Sequence, residues 1–216
     1  MTRENTTKGR PRGGLADKRQ AMLTGALAVF SRDGYARASI GAIASESEVS
    51  TRTIYNHFQD KAELFQAVIQ ESATRVAEGQ IDLIDRHLGK VTDLEADLIA
   101  YGQASVRHMH TDHRRHFALV RQINADLEHI PRPAIDAWQE AGPRRVRRAL
   151  VDRLRQLGER GLLHMDDPER AAAHLAALIS VSDLSYRTLN PTDEELDAIV
   201  AAGARAFLYG YARPTS

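Results

Sequence analysis

Ser39-Ile-Gly-Ala-Ile-Ala-Ser-Glu-Ser-Glu-Val-Ser-Thr-Arg-Thr-Ile-Tyr-Asn-His-Phe58 is the stretch that decides how this chain reads. Ser39 is a capping residue, and Ile40, Ile43 and Ala44 behind it keep to one face of a short helix. Glu46–Glu48 is too polar to extend that face. Ser50 caps a second short helix bearing Ile54 and, one turn on, Phe58. Two such helices about a turn apart make a helix-turn-helix, whose second helix enters the DNA major groove. At about 100° per residue, with Ile54 facing inward, Arg52 and Asn56 point about 160° away and Thr53 and Tyr55 take the flanks.

Helical signals continue on both sides. Leu23, Ala26, Leu27 and Phe30 recur at helical spacing before Gly34 ends their helix. Asp60 to Glu63 has capping-box spacing and opens a long helix through Leu64, Phe65, Val68 and Ile69. Thr92 to Glu95 repeats it ahead of Leu98, Ile99, Tyr101 and Val106, and His116 to Leu127 is apolar at helical intervals. Pro131 and Pro133 interrupt the chain, and Gly142-Pro143 opens a basic amphipathic helix that stops at Gly158–Gly161. Asp167-Pro168 starts an alanine-rich helix predicted to reach about Leu189, and Thr192 to Glu195 caps a last one through Tyr211. No segment alternates with period two. The predicted class is all-α, with about nine helices.

A chain of 216 residues, 43% hydrophobic and 27% charged, has globular composition and is long enough for a substantial core. With no cysteine, disulfides, thiol nucleophiles and cysteine-held metals are excluded. No apolar run approaches the roughly 20 residues that cross a bilayer. Residues 1–14 are polar and basic rather than secretory, so the expected compartment is the cytoplasm, with no membrane partner. The net charge of zero conceals a division. Residues 1–61 hold ten basic and six acidic groups, the rest 19 and 23, which points to a polyanion contacted by the N-terminal end.

The residues Gly34-Tyr35, Ser39-Ile40, Ile43-Ala44, Val49-Ser50, Thr53 to Phe58 and Lys61 with Leu64-Phe65 resemble the N-terminal domain of TetR-type transcriptional repressors. The likeness runs without a gap from about Lys18 to Val68, and Lys8-Gly-Arg-Pro-Arg12 resembles the basic arm often found ahead of that domain. Asp166-Asp-Pro-Glu169, with Glu140-Ala-Gly-Pro143, resembles the C-terminal region of the AefR-like branch. The resemblance implies a homodimer that binds a pseudo-palindromic operator and releases it when a small molecule enters the C-terminal domain. The expected division is a flexible basic arm at 1–15, a helix-turn-helix domain at 16–62 and a helical effector-binding and dimerisation domain at 63–216. Two departures stand out: Glu48 occupies the turn position where the family usually has glycine, and Arg52 replaces a usual small residue. Glu48 lacks glycine's freedom at positive φ, and an acid beside DNA costs binding unless it points away or pairs with Arg52.

The candidate DNA-binding residues are Arg10, Arg12, Ser39, Thr51, Arg52, Thr53, Tyr55, Asn56, His57 and Lys61. A solvated helix face is the plain alternative for Arg52, Thr53 and Asn56, and a disordered tail is the alternative for the arm. Tyr55 and His57 suit phosphate contacts. Lys61 lies in a first helical turn, where the dipole disfavours a cation, and so suits a phosphate. The effector pocket is expected to draw on Tyr101, Met109, Phe117, Trp138 and Tyr186, the dimer interface on Leu175, Leu178, Ile179, Phe207 and Tyr211.

His108, His110, His113 and His116 crowd into nine residues. Their spacing admits a metal site, but Arg114 and Arg115 add like charge, and a solvated, pH-responsive surface is the reading preferred. No metal or other cofactor is expected. The chain lacks H-E-x-x-H, a Glu-x-x-His pair, G-x-S-x-G and a phosphate-cradling glycine loop, so no catalytic residue is proposed. A helical metal-binding or enzymatic protein using His108–His116 is the alternative to the regulator.

Overall fold

Side-chain caps set most helix starts in this chain. The computed structural model describes residues 13–109, 113–180 and 192–211. Among them ten α-helices follow one another: α1 (Gly13–Arg37), α2 (Ile40–Glu46), α3 (Thr51–Tyr55), α4 (Lys61–Leu88), α5 (Leu94–Arg107), α6 (Arg114–Ala125), α7 (Arg132–Ala141), α8 (Pro143–Glu159), α9 (Pro168–Leu178) and α10 (Asp193–Tyr211). Ser39 accepts from the Ala42 amide, Ser50 from Thr53, Asp60 from Glu63 and Asp167 from Arg170, each satisfying a first-turn donor that has no intrahelical partner. Thr192 and Glu195 close a reciprocal box, with the Thr192 amide donating to Glu195 at 2.8 Å.

Two sequence expectations need correcting. The cap of α5 is Asp93 rather than Thr92, and the carboxylate returning to it belongs to Asp97. Glu95 is drawn away by Arg205 of α10 at 2.8 Å. The alanine-rich helix ends at Leu178 instead of running to about Leu189. There the chain turns to bury Ile179, and Gly203 of α10 passes so close that a side-chain carbon on it would overlap the Leu178 carbonyl. The apolar run that suggested a longer helix is thus used for packing beyond the helix end.

Two hydrophobic cores share α4, whose 28 residues span about 42 Å. The first joins α1, α2, α3, the start of α4, α6 and α7, with Phe30, Ile43, Ile54, Phe65, Leu119 and Ile135 inside. The second joins the far half of α4 to α5, α8, α9 and α10 around Ile84, Leu98, Leu154, Leu175 and Phe207. Each fully buried side chain of this size contributes roughly 1.5–3 kcal/mol over exposure.

Gly34 is what lets the chain enter the helix-turn-helix. It sits at φ 78°, ψ 168°, a combination essentially confined to glycine, and breaks α1 where the sequence placed its end. The chain beyond it turns Tyr35 onto Phe65, with ring centres 4.8 Å apart, while Phe30 meets Phe65 edge-on at 4.9 Å.

Candidate nucleic-acid interface

The five-residue α3 is anchored from beneath and open above. Ile54 and Phe58 are buried, as their one-turn spacing requires, whereas Thr51, Arg52, Tyr55 and Asn56 face solvent and Tyr55 is 56% exposed. His57 is half-buried beside Phe58. Asn56 is the C-cap of the helix rather than a mid-helix residue, its amide returning to Arg52. Among the described residues Arg52 makes no ion pair, so its guanidinium donors stay available for a base edge or a phosphate.

Other expected contact residues are already occupied. The Ser39 hydroxyl is the α2 cap, and that of Thr53 lies 2.9 Å from the Ser50 hydroxyl. Lys61, expected on a phosphate, instead places its ammonium on the carbonyls of Tyr35 (2.9 Å), Ala38 (3.1 Å) and Ala36 (3.4 Å). Arg10 and Arg12 lie outside the described residues. Arg19 of α1, which the sequence reading did not single out, holds its guanidinium 5.7 Å from the Phe58 ring centre, beside the recognition helix.

Glu48 has φ 54°, the one positive φ outside glycine among the described residues. The turn therefore keeps the left-handed geometry that glycine would adopt freely, and a glutamate is forced into it. Its carboxylate is exposed and does not pair with Arg52.

The residues expected around an effector divide between the two cores. Trp138 packs against the first, with its indole N–H buried and unpartnered, whereas Tyr101 and Met109 belong to the second. Burial pushes the Tyr101 phenol up to about 12. Phe117 lies half-buried with its ring 5.1 Å from that of His116, and Tyr186 falls outside the described residues. Trp138 on the one hand and Tyr101 and Met109 on the other therefore pack in different cores. Three of the five residues expected between two chains, Leu175, Ile179 and Phe207, fill this chain's own core, because α9 packs between α8 and α10, and α10 against α5. Leu178 is 39% exposed, and Tyr211 stacks on Phe207 and bonds His174 at 2.7 Å. Tyr209, missed in the sequence, is 94% exposed on the same helix.

The described histidines of the cluster do not form the solvated surface expected: His116 is buried and His108 and His113 are half-buried. The His108 and His113 rings lie 4.4 Å apart, and His116 is buried against the Ser72 hydroxyl at 2.9 Å. His110 lies outside the described residues. Among the described residues no three His, Asp or Glu side chains are placed to share a metal ion, and the metal-binding alternative is not favoured. None of the described helices is long and apolar enough to cross a membrane.

Residues 22–68 match the family of bacterial regulatory proteins typified by TetR, and residues 96–213 match the C-terminal domain of AefR-like transcriptional repressors. The transcriptional regulator UidR of Escherichia coli is 26% identical over 89% of this chain and 91% of its own length. The repressor AcnR of Corynebacterium diphtheriae is 30% identical over 47% of this chain, and the match spans only 60% of AcnR. A crystal structure assigned to the TetR family from Mesorhizobium loti superposes with a TM-score of 0.81 at 25% identity, covering 94% of this chain and 100% of that one.

Proposed function

This chain belongs to the TetR family of transcriptional regulators, in its AefR-like branch, and from that footing we propose that it is a repressor that binds a pseudo-palindromic operator as a homodimer and releases it when a small molecule binds. The observation that carries the reading is the solvent-facing set Thr51, Arg52, Tyr55 and Asn56, held up by buried Ile54 and Phe58. Arg52 and Asn56 are the base-reading residues: arginine pairs with guanine and asparagine with adenine in the major groove. Thr51, Tyr55, His57 and Arg19 are assigned to phosphates, and the arm residues Arg10 and Arg12 to the adjoining minor groove. Regulation of transcription places the work in the cytoplasm.

Dimerisation is assigned to the outer faces of α9 and α10. Leu178 and Tyr209 project there among Ala173, Ala177, Ala202 and Ala206, and small residues let helix axes approach closely. A two-fold protein reads a two-fold site, so half-site centres fall roughly one DNA turn apart.

An electrophoretic shift with the DNA upstream of the chain's own gene tests the reading. Binding is expected to weaken with salt at about −0.9 in log K per log salt for each phosphate contact. Arg52→Ala and Asn56→Ala are each expected to lose roughly 1–3 kcal/mol of base discrimination. A flat salt response, or unchanged preference in both variants, overturns it.

A further inference from the structure

We propose that the cleft between α1, α4 and α6 is a binding site for a small anionic amphiphile, a carboxylate carried on an apolar body. The cleft encloses about 440 Å³, within the range of small-molecule sites. Its apolar wall is Leu23 and Leu27 of α1 with Val68 of α4, and its cations are Arg75, Arg114 and Arg115. One carboxylate shares the space, that of Glu71, and it is already satisfied by Arg75 at 2.8 Å and by the Gln20 amide at 2.9 Å, with Arg19 at 3.9 Å. The imidazole of His116 and the Ser72 hydroxyl satisfy each other.

Arg114 and Arg115 are left over: both are exposed, and neither has an acidic partner among the described residues. Two guanidinium groups without an ion pair, at the rim of a mostly polar cleft with an apolar patch of Leu23, Leu27 and Val68 in its wall, match a ligand with a charged head and a short apolar body. A bare anion leaves the apolar wall wet, and a neutral apolar molecule leaves both guanidinium groups without a partner. Arg115 also borders the next hollow along α1, whose other walls include Glu46, Ser47 and Glu48 of the helix-turn-helix. Arg115 thus lines both hollows and links the cleft to the turn that precedes the recognition helix. The site differs from the Tyr101 and Trp138 groupings expected for an effector, and its existence does not depend on the operator reading.

Titration calorimetry on the full chain tests the site without DNA, using sodium octanoate, octanol as the uncharged body and inorganic phosphate as the bare anion. Octanoate is expected to bind at least about tenfold tighter than either control. The Arg114→Gln/Arg115→Gln double variant is expected to lose about tenfold in octanoate affinity, with octanol binding and the helical circular dichroism unchanged. Arg147→Gln, an exposed arginine of α8, is expected to behave as the parent. Absent octanoate binding, equal affinity for octanoate and either control, or the same loss in Arg147→Gln overturns the assignment. An operator shift on the same preparation reports separately on the DNA-binding reading.

Discussion

The ammonium of Lys61 lies 2.9 Å from the carbonyl oxygen of Tyr35 and 4.6 Å from the centre of the Tyr35 ring. One side chain from the first turn of α4 thus closes the far end of α1, where the last carbonyls have no amide donors of their own. A cation at the positive end of one helix is stabilised by the negative end of another. The contact fixes the corner from which α2 and α3 depart.

Lys61→Met is therefore expected to lower stability by about 1–2 kcal/mol, read from denaturant midpoints, because charged hydrogen bonds to two partly buried carbonyls, Tyr35 and Ala38, and a longer exposed one to Ala36 are lost. The salt dependence of operator binding is expected to stay the same. An unchanged midpoint together with a salt slope flatter by about one per chain returns Lys61 to the phosphate role that its sequence position suggested.

Glu48→Gly is expected to stabilise the protein by about 1 kcal/mol, since glycine takes φ 54° without the steric cost a β-carbon brings. Glu48→Ala keeps the β-carbon and is expected to give no such gain. Both remove an exposed acid beside the recognition helix and are expected to tighten operator binding alike. Paired unfolding curves decide the point, and equal stability of the two variants refutes the backbone account.

The helix-turn-helix was legible because its signals are local. Ser39, Ser50 and Asp60 cap within their own turns, and the four-residue step from Ile54 to Phe58 needs only helical geometry. Glu48 was readable for the same reason, as an unusual residue at a turn position with a known demand. The carbonyl contacts of Lys61 were not legible because those partners lie 23 to 26 residues away in sequence. The end of α9 was hidden by the apolar run from Leu175 to Val181, which serves tertiary packing equally well inside or outside a helix. Trp138 and Tyr101 look alike as large residues of one segment, yet they pack into different cores, a distinction no periodicity carries.

Phe207 and Tyr209 sit two residues apart on α10 with opposite fates, 1% and 94% exposed. Phe207→Glu is expected to cost about 3–5 kcal/mol by placing an unpaired charge in a packed core and removing the aromatic volume. Tyr209→Glu is expected to keep the helical spectrum and thermal transition of a folded chain while shifting it from dimer to monomer in light scattering. A folded Tyr209→Glu chain that remains dimeric moves the interface away from this face.

Burial, helped by the charge of His113, pulls the His116 imidazole down to about 4, against an ordinary value of about 6.5. The folded state thus resists a proton that the unfolded chain accepts. Its stabilising contribution is complete above about pH 6.5 and is lost progressively as pH falls toward about 4, with a limiting slope of about 1.4 kcal/mol per pH unit. The neutral ring bonds the Ser72 hydroxyl between α4 and α6, so acid is expected to loosen that joint. His116→Asn keeps a polar partner for Ser72 but carries no titratable group. Urea midpoints taken between pH 7.5 and 4.5 are expected to fall more steeply for the parent than for the variant, and the difference between the two curves isolates this one residue from the other histidines. Parallel curves mean that protonation of His116 does not contribute to acid unfolding.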